Sequence, residues 1–457
     1  MKMKKRSWKR FAALALAVIM ALFAVACSSV PAKTDDTAEN QGNQREMTVW
    51  IAKTFNDSAD KQLAERIKSF AEVDDRVSKV NVETFAGSEG QSKWNAAIES
   101  GNVPDVSFLV AAPYANFSEM GLLEDLSDVI RDIEGNLGAL YPAVREDMTS
   151  DSGEIYAVPI SNSASMLHYR TDYFEKAGIT APPANWEEME LVCEKLKAAN
   201  PDVYPFGHCI SSSDDSEAQN LWILRSFGGR LWDENGNVAV NSPETIKAIN
   251  YIVGLYEKGY IPKSTIEWDS SGNNKSFLSG ESAMAMNPGT LYNEIINGDM
   301  KDTLGKTTAI APLPLGEYET WKEPGRNMLS VFKGARDVEL SKDLIRYVFE
   351  PEWYNEYMEM NYPVNVPVFS NALQDKIWQS GDGLALVQQA EHENSSFGYP
   401  STDPAVIRAD ASSLQNFMFS KTLIRVITEG QSPEDAVAQL EKELNELKDE
   451  MASQNNG

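Results

Sequence analysis

The chain has 457 residues, of which 42% are hydrophobic and 24% charged, which is long enough for two domains that each bury a large core. Acidic residues outnumber basic ones by 68 to 41, so the net charge is −27. A surface of this sign is repelled by nucleic acid and by anionic lipid head groups, and we expect neither as a direct partner.

The N-terminus has the pattern of a signal peptide. Six basic residues and no acid fall in the first ten positions, and residues 11–26 are apolar and uncharged. This stretch is short for a membrane span and typical of a signal-peptide core, so residues 1–26 are predicted to be removed. Ala24-Val25-Ala26-Cys27 resembles a bacterial lipobox with Ala24 in place of the usual leucine, which predicts lipidation of Cys27. Ordinary secretion with cleavage nearby is the alternative.

The mature chain is still more acidic. Removing those six basic residues from the 41 leaves 35 against 68 acids, a net charge of −33. Residues 27–46 lack the apolar side chains needed for a core and are predicted to be a disordered tether. We therefore expect a lipid, and not the protein surface, to hold the protein at the extracellular face of the cell membrane.

From residue 47 onward, strands and helices are predicted to alternate. Strands are predicted over 47–55, 80–86 and 104–110, and helices after residue 56, over 91–100 and over 114–130. This alternation indicates a parallel sheet covered on both faces. Ligands in such sheets bind beyond the carboxyl ends of the strands, which are here residues 53–57, 87–91 and 111–114.

Residues 153–179 are predicted to cross between two lobes. Two β-rich runs, 155–160 and 166–169, flank the polar segment 161–165. Pro159 removes a backbone donor, which favours an edge strand or a crossing. An ordinary buried strand followed by a serine-rich turn is the alternative.

The motifs in this region resemble those of a known family. G-x-I-Y-A-V-P, then L-x-Y-R-T-D-Y-F-E-K-A-G-I, Pro182-Pro183 and Trp186-Glu187-Glu188 resemble the extracellular solute-binding proteins of ABC importers, in the carbohydrate-binding branch that includes maltose-binding protein. The resemblance implies a two-lobe α/β fold, each lobe a mainly parallel sheet flanked by helices, joined by three hinge crossings. It implies an N-terminal lobe of 47–157 plus 328–366, a C-terminal lobe of 158–327 plus 367–450, and a flexible tail of 451–457.

Later motifs extend the resemblance. Residues 277–290 resemble the family's F-x-x-G-x-x-A-M motif, although Thr290 and Tyr292 stand where the family usually has a tryptophan. Residues 310–315 and 327–332 resemble the return crossing, and residues 362–367 resemble the third crossing.

Catalytic motifs are missing from the sequence. It contains three histidines and no HExxH, GxSxG, CxxC or phosphate-binding loop, so we expect no enzyme, no cofactor and no metal site. His168 is predicted to be packed in a strand. The acidic loop 233–237 is interpreted as a hairpin turn, with calcium as the alternative. Cys193 and Cys209 are predicted to be separate buried residues, although export permits a disulfide.

Sugar recognition combines aromatic rings with hydrogen-bonding side chains. Trp94, Trp222, Trp232 and Trp268 are predicted to lie near strand ends or on cleft-facing helices. The candidate ligand-binding residues that the resemblance implies are Asn56, Asp57, Glu89, Tyr114, Asn162, Ser163, Asp215, Trp222, Asn287, Thr290, Tyr292, Arg326, Asn327, Phe397, Tyr399 and Phe417. Together they are expected to surround one cleft.

The resemblance thus predicts a monomeric, lipid-anchored binding component of an ABC importer. It would capture a sugar or oligosaccharide between its lobes and deliver it to the transmembrane permease. A surface-tethered carbohydrate-active enzyme and a binder of peptide or another solute on the same fold are the alternatives.

Overall fold

The computed structural model describes residues 44–54, 56–150, 152–318, 325–393 and 397–454. The described residues do not include the predicted signal peptide, the predicted lipidation site Cys27, nearly all of the predicted tether or the end of the predicted tail. None of the helices in the described ranges combines the length and apolar character that a bilayer crossing requires.

The first third of the chain alternates strands with helices. Its elements are β1 (Arg45–Ala52), α1 (Asp57–Val73), β2 (Val77–Phe85), α2 (Gly87–Ser100), β3 (Val106–Val110), α3 (Ala111–Glu119), α4 (Ser127–Leu137) and α5 (Pro142–Met148). The Asn56 side chain caps α1 by accepting a hydrogen bond from the amide of Ala59 at 3.2 Å. The single helix predicted over 114–130 is two helices, because Gly121 takes a left-handed φ of 65° just after α3.

The middle third contains the first crossing and a second sheet. Its elements are β4 (Val158–Ser163), β5 (Ser165–Arg170), α6 (Thr171–Lys176), α7 (Trp186–Ala199), β6 (Tyr204–Phe206), α8 (Asp214–Ser226), α9 (Pro243–Glu257), a 3₁₀ turn (Lys263–Glu267), α10 (Gly272–Leu278), β7 (Ser282–Pro288), α11 (Gly289–Asn297), a 3₁₀ turn (Leu304–Lys306) and β8 (Thr308–Ala311). The sequence predicts helices over 186–199 and over 221–227. Helix α7 has the first of these bounds, whereas α8 begins before the second, because the Ser213 side chain caps it.

The last third returns to the first sheet and ends in helices. Its elements are β9 (Gly325–Ser330), α12 (Val338–Val348), α13 (Pro351–Asn361), β10 (Asn365–Val366), 3₁₀ turns (Ala372–Gln374 and Lys376–Trp378), α14 (Gly381–Glu391), α15 (Pro404–Gln415), α16 (Met418–Glu429) and α17 (Pro433–Gln454).

Two sheets organise these elements, which confirms the predicted two-lobe α/β class. The larger sheet has the order β10-β4-β9-β3-β1-β2, and the smaller has the order β6-β7-β5-β8. Pairing is parallel for β1 with β2, β1 with β3, and β6 with β7, and it is antiparallel for the other neighbours. The sheets are therefore more mixed than the strand-helix alternation predicted, because strands that return through the crossings enter the larger sheet in the opposite direction.

The passages between sheets are short. Strand β4 belongs to the larger sheet although the predicted second lobe begins at its first residue, and the chain reaches the smaller sheet at β5 after the buried Ala164. Beyond β10, Phe369, Trp378 and Leu386 still pack in the core of the larger sheet's lobe. The predicted lobe boundaries themselves stay a prediction.

Several predicted core residues are buried. His168 is fully buried and its Nδ1 lies 3.2 Å from the carbonyl oxygen of Met166, and burial lowers its pKa to about 4. Cys193 and Cys209 are both buried free thiols, in agreement with the prediction of separate residues, and burial raises the pKa of each. Trp94 and Trp232 are fully enclosed in the two lobe cores and do not face a cleft.

The buried hydroxyl of Tyr354 ties α13 to the first crossing, which it reaches by donating to the carbonyl oxygen of Ile160 at 2.7 Å. We expect Tyr354→Phe to lower the free energy of unfolding by about 1–3 kcal/mol, since that carbonyl would be left without a partner. Urea denaturation measures the change as a lower midpoint at constant slope. Tyr347→Phe is the matched control, because its partner Ser69 is only half-buried and can bond elsewhere. Equal losses in both variants would contradict the assigned role of the Tyr354 hydroxyl.

Candidate functional site

A cleft of about 680 Å³ lies between the two lobes. We call it the interlobe cleft. The first lobe contributes α3, α5, the loop after α5, and β9; the second contributes residues 397–402 and the start of α15. Its lining comprises Ala111, Tyr114, Ala115, Ser118, Glu119, Glu146, Asp147, Met148, Thr149, Ser150, Ser152, Tyr156, Arg326, Met328, Phe397, Tyr399, Pro400, Ser401, Thr402, Pro404 and Ile407.

Aromatic side chains from both lobes line the interlobe cleft. From the first lobe, Tyr114 donates its hydroxyl to the Met148 carbonyl oxygen at 3.3 Å, and Tyr156 donates to a Glu154 carboxylate oxygen at 2.6 Å. Burial raises the pKa of Tyr114, so this phenol is a neutral donor at ordinary pH. From the second lobe, Phe397 is buried whereas Tyr399 is 45% exposed. Tyr399 is therefore the ring most open to a ligand.

A buried guanidinium forms part of the first-lobe wall. Arg326 on β9 is only 1% exposed; its Nε donates to Asn162 Oδ1 at 3.0 Å, and its Nη1 pairs with the Asp147 carboxylate. A charge removed from water must be paired in this way. The Arg326–Asp147 pair thus brings polarity to the cleft wall with little net charge.

A small apolar seam borders the cleft. Ala112 and Ala115 on α3 pack against Phe397 and against Ala411 on α15, so the two lobes touch there. Methyl-sized side chains let the two helices approach closely. The seam is small compared with the lobe cores, and the cleft beside it stays open.

A second, small pocket of about 60 Å³ lies against the second lobe, lined by Ser165, Asp215, Ala218, Gln219, Trp222, Met286, Asn287, Pro288 and Leu313. Asp215 Oδ2 accepts hydrogen bonds from the amides of Asn273 at 2.9 Å and Asn287 at 3.3 Å. Thr290 donates to Asn287 Oδ1 at 3.0 Å, which fixes the amide further. The space suits one or two water molecules or a ligand hydroxyl.

The structure brings together only some of the predicted site residues. Tyr114, Arg326, Phe397 and Tyr399 line the interlobe cleft, with Asn162 directly behind Arg326, while Asp215, Trp222 and Asn287 line the small pocket, with Thr290 bonded behind them. None of the others lines either pocket: Asn56, Asp57, Glu89, Ser163, Tyr292, Asn327 and Phe417.

Those remaining residues have local contacts. Asn56 caps α1, and Glu89 accepts from the Ala86 amide at the start of α2. Ser163 and Asn327 bond within the crossing, to Gly325 and to Ser161 respectively. That any of the predicted residues contacts a ligand stays a prediction.

Sequence reasoning missed the wall formed by α5 and the loop after it. Tyr156 lines the interlobe cleft and lies in the G-x-I-Y-A-V-P motif, but it is not among the predicted ligand-binding residues. Glu146 and Asp147 also line the cleft, yet they follow no predicted strand end and belong to no motif. They reach the cleft because α5 packs beside β9, a strand that lies far away in the sequence. The acidic character of 146–147 was visible, but acids are too frequent in this chain to single it out.

No three His, Cys, Asp or Glu side chains in the described ranges stand close enough to share a metal ion. In the loop considered for calcium, the Asp233 carboxylate accepts from the amides of Asn235 at 2.9 Å and Asn237 at 2.8 Å. It therefore serves the turn between the bridged residues Trp232 and Val238, as the hairpin interpretation predicted.

Two α/β lobes that enclose a polar and aromatic cleft define a two-lobed binding protein. Residues 54–355 match the family model described as bacterial extracellular solute-binding protein, and the chain belongs to this family. A probable ABC transporter-binding protein of Deinococcus radiodurans is 25% identical over 71% of this chain and 76% of its own length. A maltooligosaccharide ABC transporter solute-binding lipoprotein of Streptococcus pneumoniae is 25% identical, with coverages of 59% and 60%. The fold is similar to that of maltose-bound MalE3 of T. maritima, with a TM-score of 0.72, 22% identity and coverages of 88% and 99%.

The turn between β7 and α11 approaches the third crossing too closely for any side chain. A Cβ at Gly289 would lie 1.8 Å from the carbonyl oxygen of Pro363. Glycine is required here because the nearest atoms are backbone atoms of Pro363 and Val364, which cannot rotate away as a side chain could.

We therefore expect Gly289→Ala to push the crossing out of place and to lower the free energy of unfolding by roughly 1–3 kcal/mol. Thermal unfolding followed by circular dichroism measures this loss. Gly254→Ala is the control: it lies within α9 with open space around its Cβ, and it should leave stability unchanged or raise it by about 0.4–1 kcal/mol. A Gly289→Ala protein as stable as the wild type would show that the crossing is not held at this contact.

Proposed function

We propose that this protein captures a sugar or oligosaccharide in the interlobe cleft and delivers it to the permease of an ABC importer. The observation that carries the proposal is a cleft whose two walls belong to different lobes and combine rings with hydrogen-bonding groups. Sugars present C–H faces that pack on rings such as Tyr399, and hydroxyls that need donors and acceptors such as Tyr114 and Ser401. The names of the S. pneumoniae relative and of the maltose-bound T. maritima structure support a carbohydrate cargo.

The mechanism requires no covalent step. The lobes move about the crossings, and a ligand that contacts both walls binds the closed form more tightly than the open form. Binding therefore shifts the population toward closure by that difference in affinity. The closed form docks on the permease and releases its cargo unchanged, without a cofactor, and the protein acts as a monomer.

The relatives are binding proteins of transporters, which supports a receptor and not an enzyme. A tethered carbohydrate-active enzyme would convert the sugar, and a peptide receptor would bind no sugar at all. Both remain outcomes of the binding experiment below.

The panel for calorimetry contains monosaccharides, maltose, longer maltooligosaccharides and short peptides. We expect one of the sugars to bind one-to-one, and we expect chromatography to detect no product from it. Tyr399→Ala should weaken that binding about tenfold or more, since the ring loses its packing on the sugar. Tyr318→Ala is the control, because Tyr318 is similarly exposed and lies outside the cleft lining. Turnover of the sugar, or binding of peptides alone, would overturn the proposal.

The family is extracellular, and we propose a lipid on Cys27 as the membrane anchor. In bacterial cells, radiolabelled palmitate should enter the wild-type protein and leave it in the membrane fraction. Cys27→Ala should lose the label, and the protein should be released or retain its leader. Because the mature chain is strongly acidic, it cannot bind anionic lipid by itself. A Cys27→Ala protein that still carried the label would place the lipid elsewhere.

A further inference from the structure

Helix α16 begins without a cap of its own. The preceding residue, Phe417, has φ 55° and ψ 43°, and its side chain makes no cap hydrogen bond. In the described ranges it is the one residue other than glycine with a positive φ. The left-handed conformation costs a bulky residue energy, so its surroundings must hold it in place.

The missing cap comes from a carboxylate about two hundred residues earlier. Glu217 on α8 is completely buried; its Oε1 accepts from the amide of Phe419 at 3.0 Å and its Oε2 from the amide of Ser420 at 2.8 Å. These are free amides of the first turn of α16, where the helix dipole also favours a negative group.

A second residue of α8 strengthens the same joint. Asn220 donates to the Ser420 hydroxyl at 3.1 Å, and its Oδ1 lies 2.8 Å from His208 Nε2. Burial lowers the pKa of His208 to about 4, so it is neutral near pH 7 and donates to Asn220. Helix α8 therefore holds α16 through two adjacent turns, while other residues of α8 line the small pocket.

The corner between α15 and α16, residues 415–417, lies where the second lobe meets the first. Gln415 on α15 donates to Gln91 on α2 at 3.5 Å. One residue earlier, Leu414 packs both with the second-lobe core and with the α3–α15 seam. A shift of the corner would thus change the contact between the lobes.

We propose that Glu217 is a positioning residue: by capping α16 it holds residues 415–417 in place and so sets the contact that closes the lobes. This proposal depends on the proposed function in one respect, which is that the contact opens and closes around a ligand.

Protonation of Glu217 would then tune the contact. Burial raises the pKa of Glu217 to about 7, and its hydrogen bonds and Arg225 on the same helix oppose that rise. Burial outweighs the two amide bonds and the helix dipole, so Glu217 holds its proton more tightly when the corner is packed than when it is exposed to water, and the packed corner is most stable at low pH. That extra stability is lost as the pH rises from the ordinary glutamate range through about 7.

The other charged groups on the packed elements are engaged elsewhere or point to solvent. On α15, Arg408 donates to the Met451 carbonyl oxygen, and Asp410 accepts from Trp232 Nε1. On α9, Lys247 lies over the Phe227 ring and Tyr251 donates to the Trp186 carbonyl oxygen, while Lys421 on α16 is exposed. On α16 itself, Arg425 pairs with Glu443 of α17 at 2.7 Å, and burial raises the pKa of Asp214 at the start of α8. Of these groups, Glu217 is the one whose carboxylate bonds to the first turn of α16.

Hydrogen exchange of the ligand-free protein tests the proposal. The amides of Phe419 and Ser420, corrected for intrinsic rates, should lose protection by up to about tenfold per pH unit between pH 5.5 and 7. Glu217→Gln should abolish this slope, whereas Glu187→Gln, at an exposed position on α7, should keep it. A flat wild-type profile, or a slope that persists in Glu217→Gln, would overturn the proposal.

The contact with the first lobe is tested in the same experiment. The amides around Gln91 should follow the same pH profile in the wild type, and Gln415→Ala should weaken that response while the slope at Phe419 remains. If the amides around Gln91 show no pH response in the wild type, Glu217 does not act on the lobe contact. This experiment uses no sugar, so its failure can be distinguished from failure of the sugar panel. If Glu217→Gln does not fold, the pH profile of the wild-type protein still tests the proposal.

Discussion

A buried guanidinium holds the place where the chain passes between its lobes. Arg326 joins β9 to β4 through Asn162 and to α5 through Asp147, almost out of contact with solvent. Moving such a charge out of water costs several kcal/mol unless its partners replace the lost hydration, so these three segments must keep their register. The first-lobe wall of the cleft depends on that register. Helix α5 places Glu146 and Asp147 in the wall only while Asp147 stays paired with Arg326 on β9.

This fixed wall fits the proposed mechanism, in which the lobes close around a ligand. One wall of the cleft is built on the crossing strands and the other on residues 397–407 of the second lobe. A ligand that bridges both walls gains contacts only when the lobes approach, so its affinity for the closed form exceeds that for the open form. The alanine seam between α3 and α15 is a place where the two lobes touch beside the cleft.

Helix α8 has two roles at once. Asp215 and Trp222 face the small pocket, whereas Glu217 and Asn220 reach the first turn of α16. Burying the Glu217 carboxylate without partners would cost folding free energy. Its hydrogen bonds to two amides offset that cost only while α8 and α16 keep their relative position. The pocket side of α8 and the corner of α16 are thereby held as one unit.

The sequence by itself determined what depends on near neighbours. Asn56 caps α1 within one turn, at the position after which the sequence predicts that helix. Ser213 and Gly121 also act locally, but the predicted helix bounds missed both of them. The crossing motif near Pro159, the family and the two-lobe α/β class were also predictable, since motif order and the strand-helix alternation are written along the chain. The tertiary structure alone decided which polar residues meet. Asp147 reaches Arg326 across 179 positions and Glu217 reaches Phe419 across 202, and no local pattern encodes such pairs. They form because packing of the two lobe cores brings distant segments together, after which buried charges and amides must find partners.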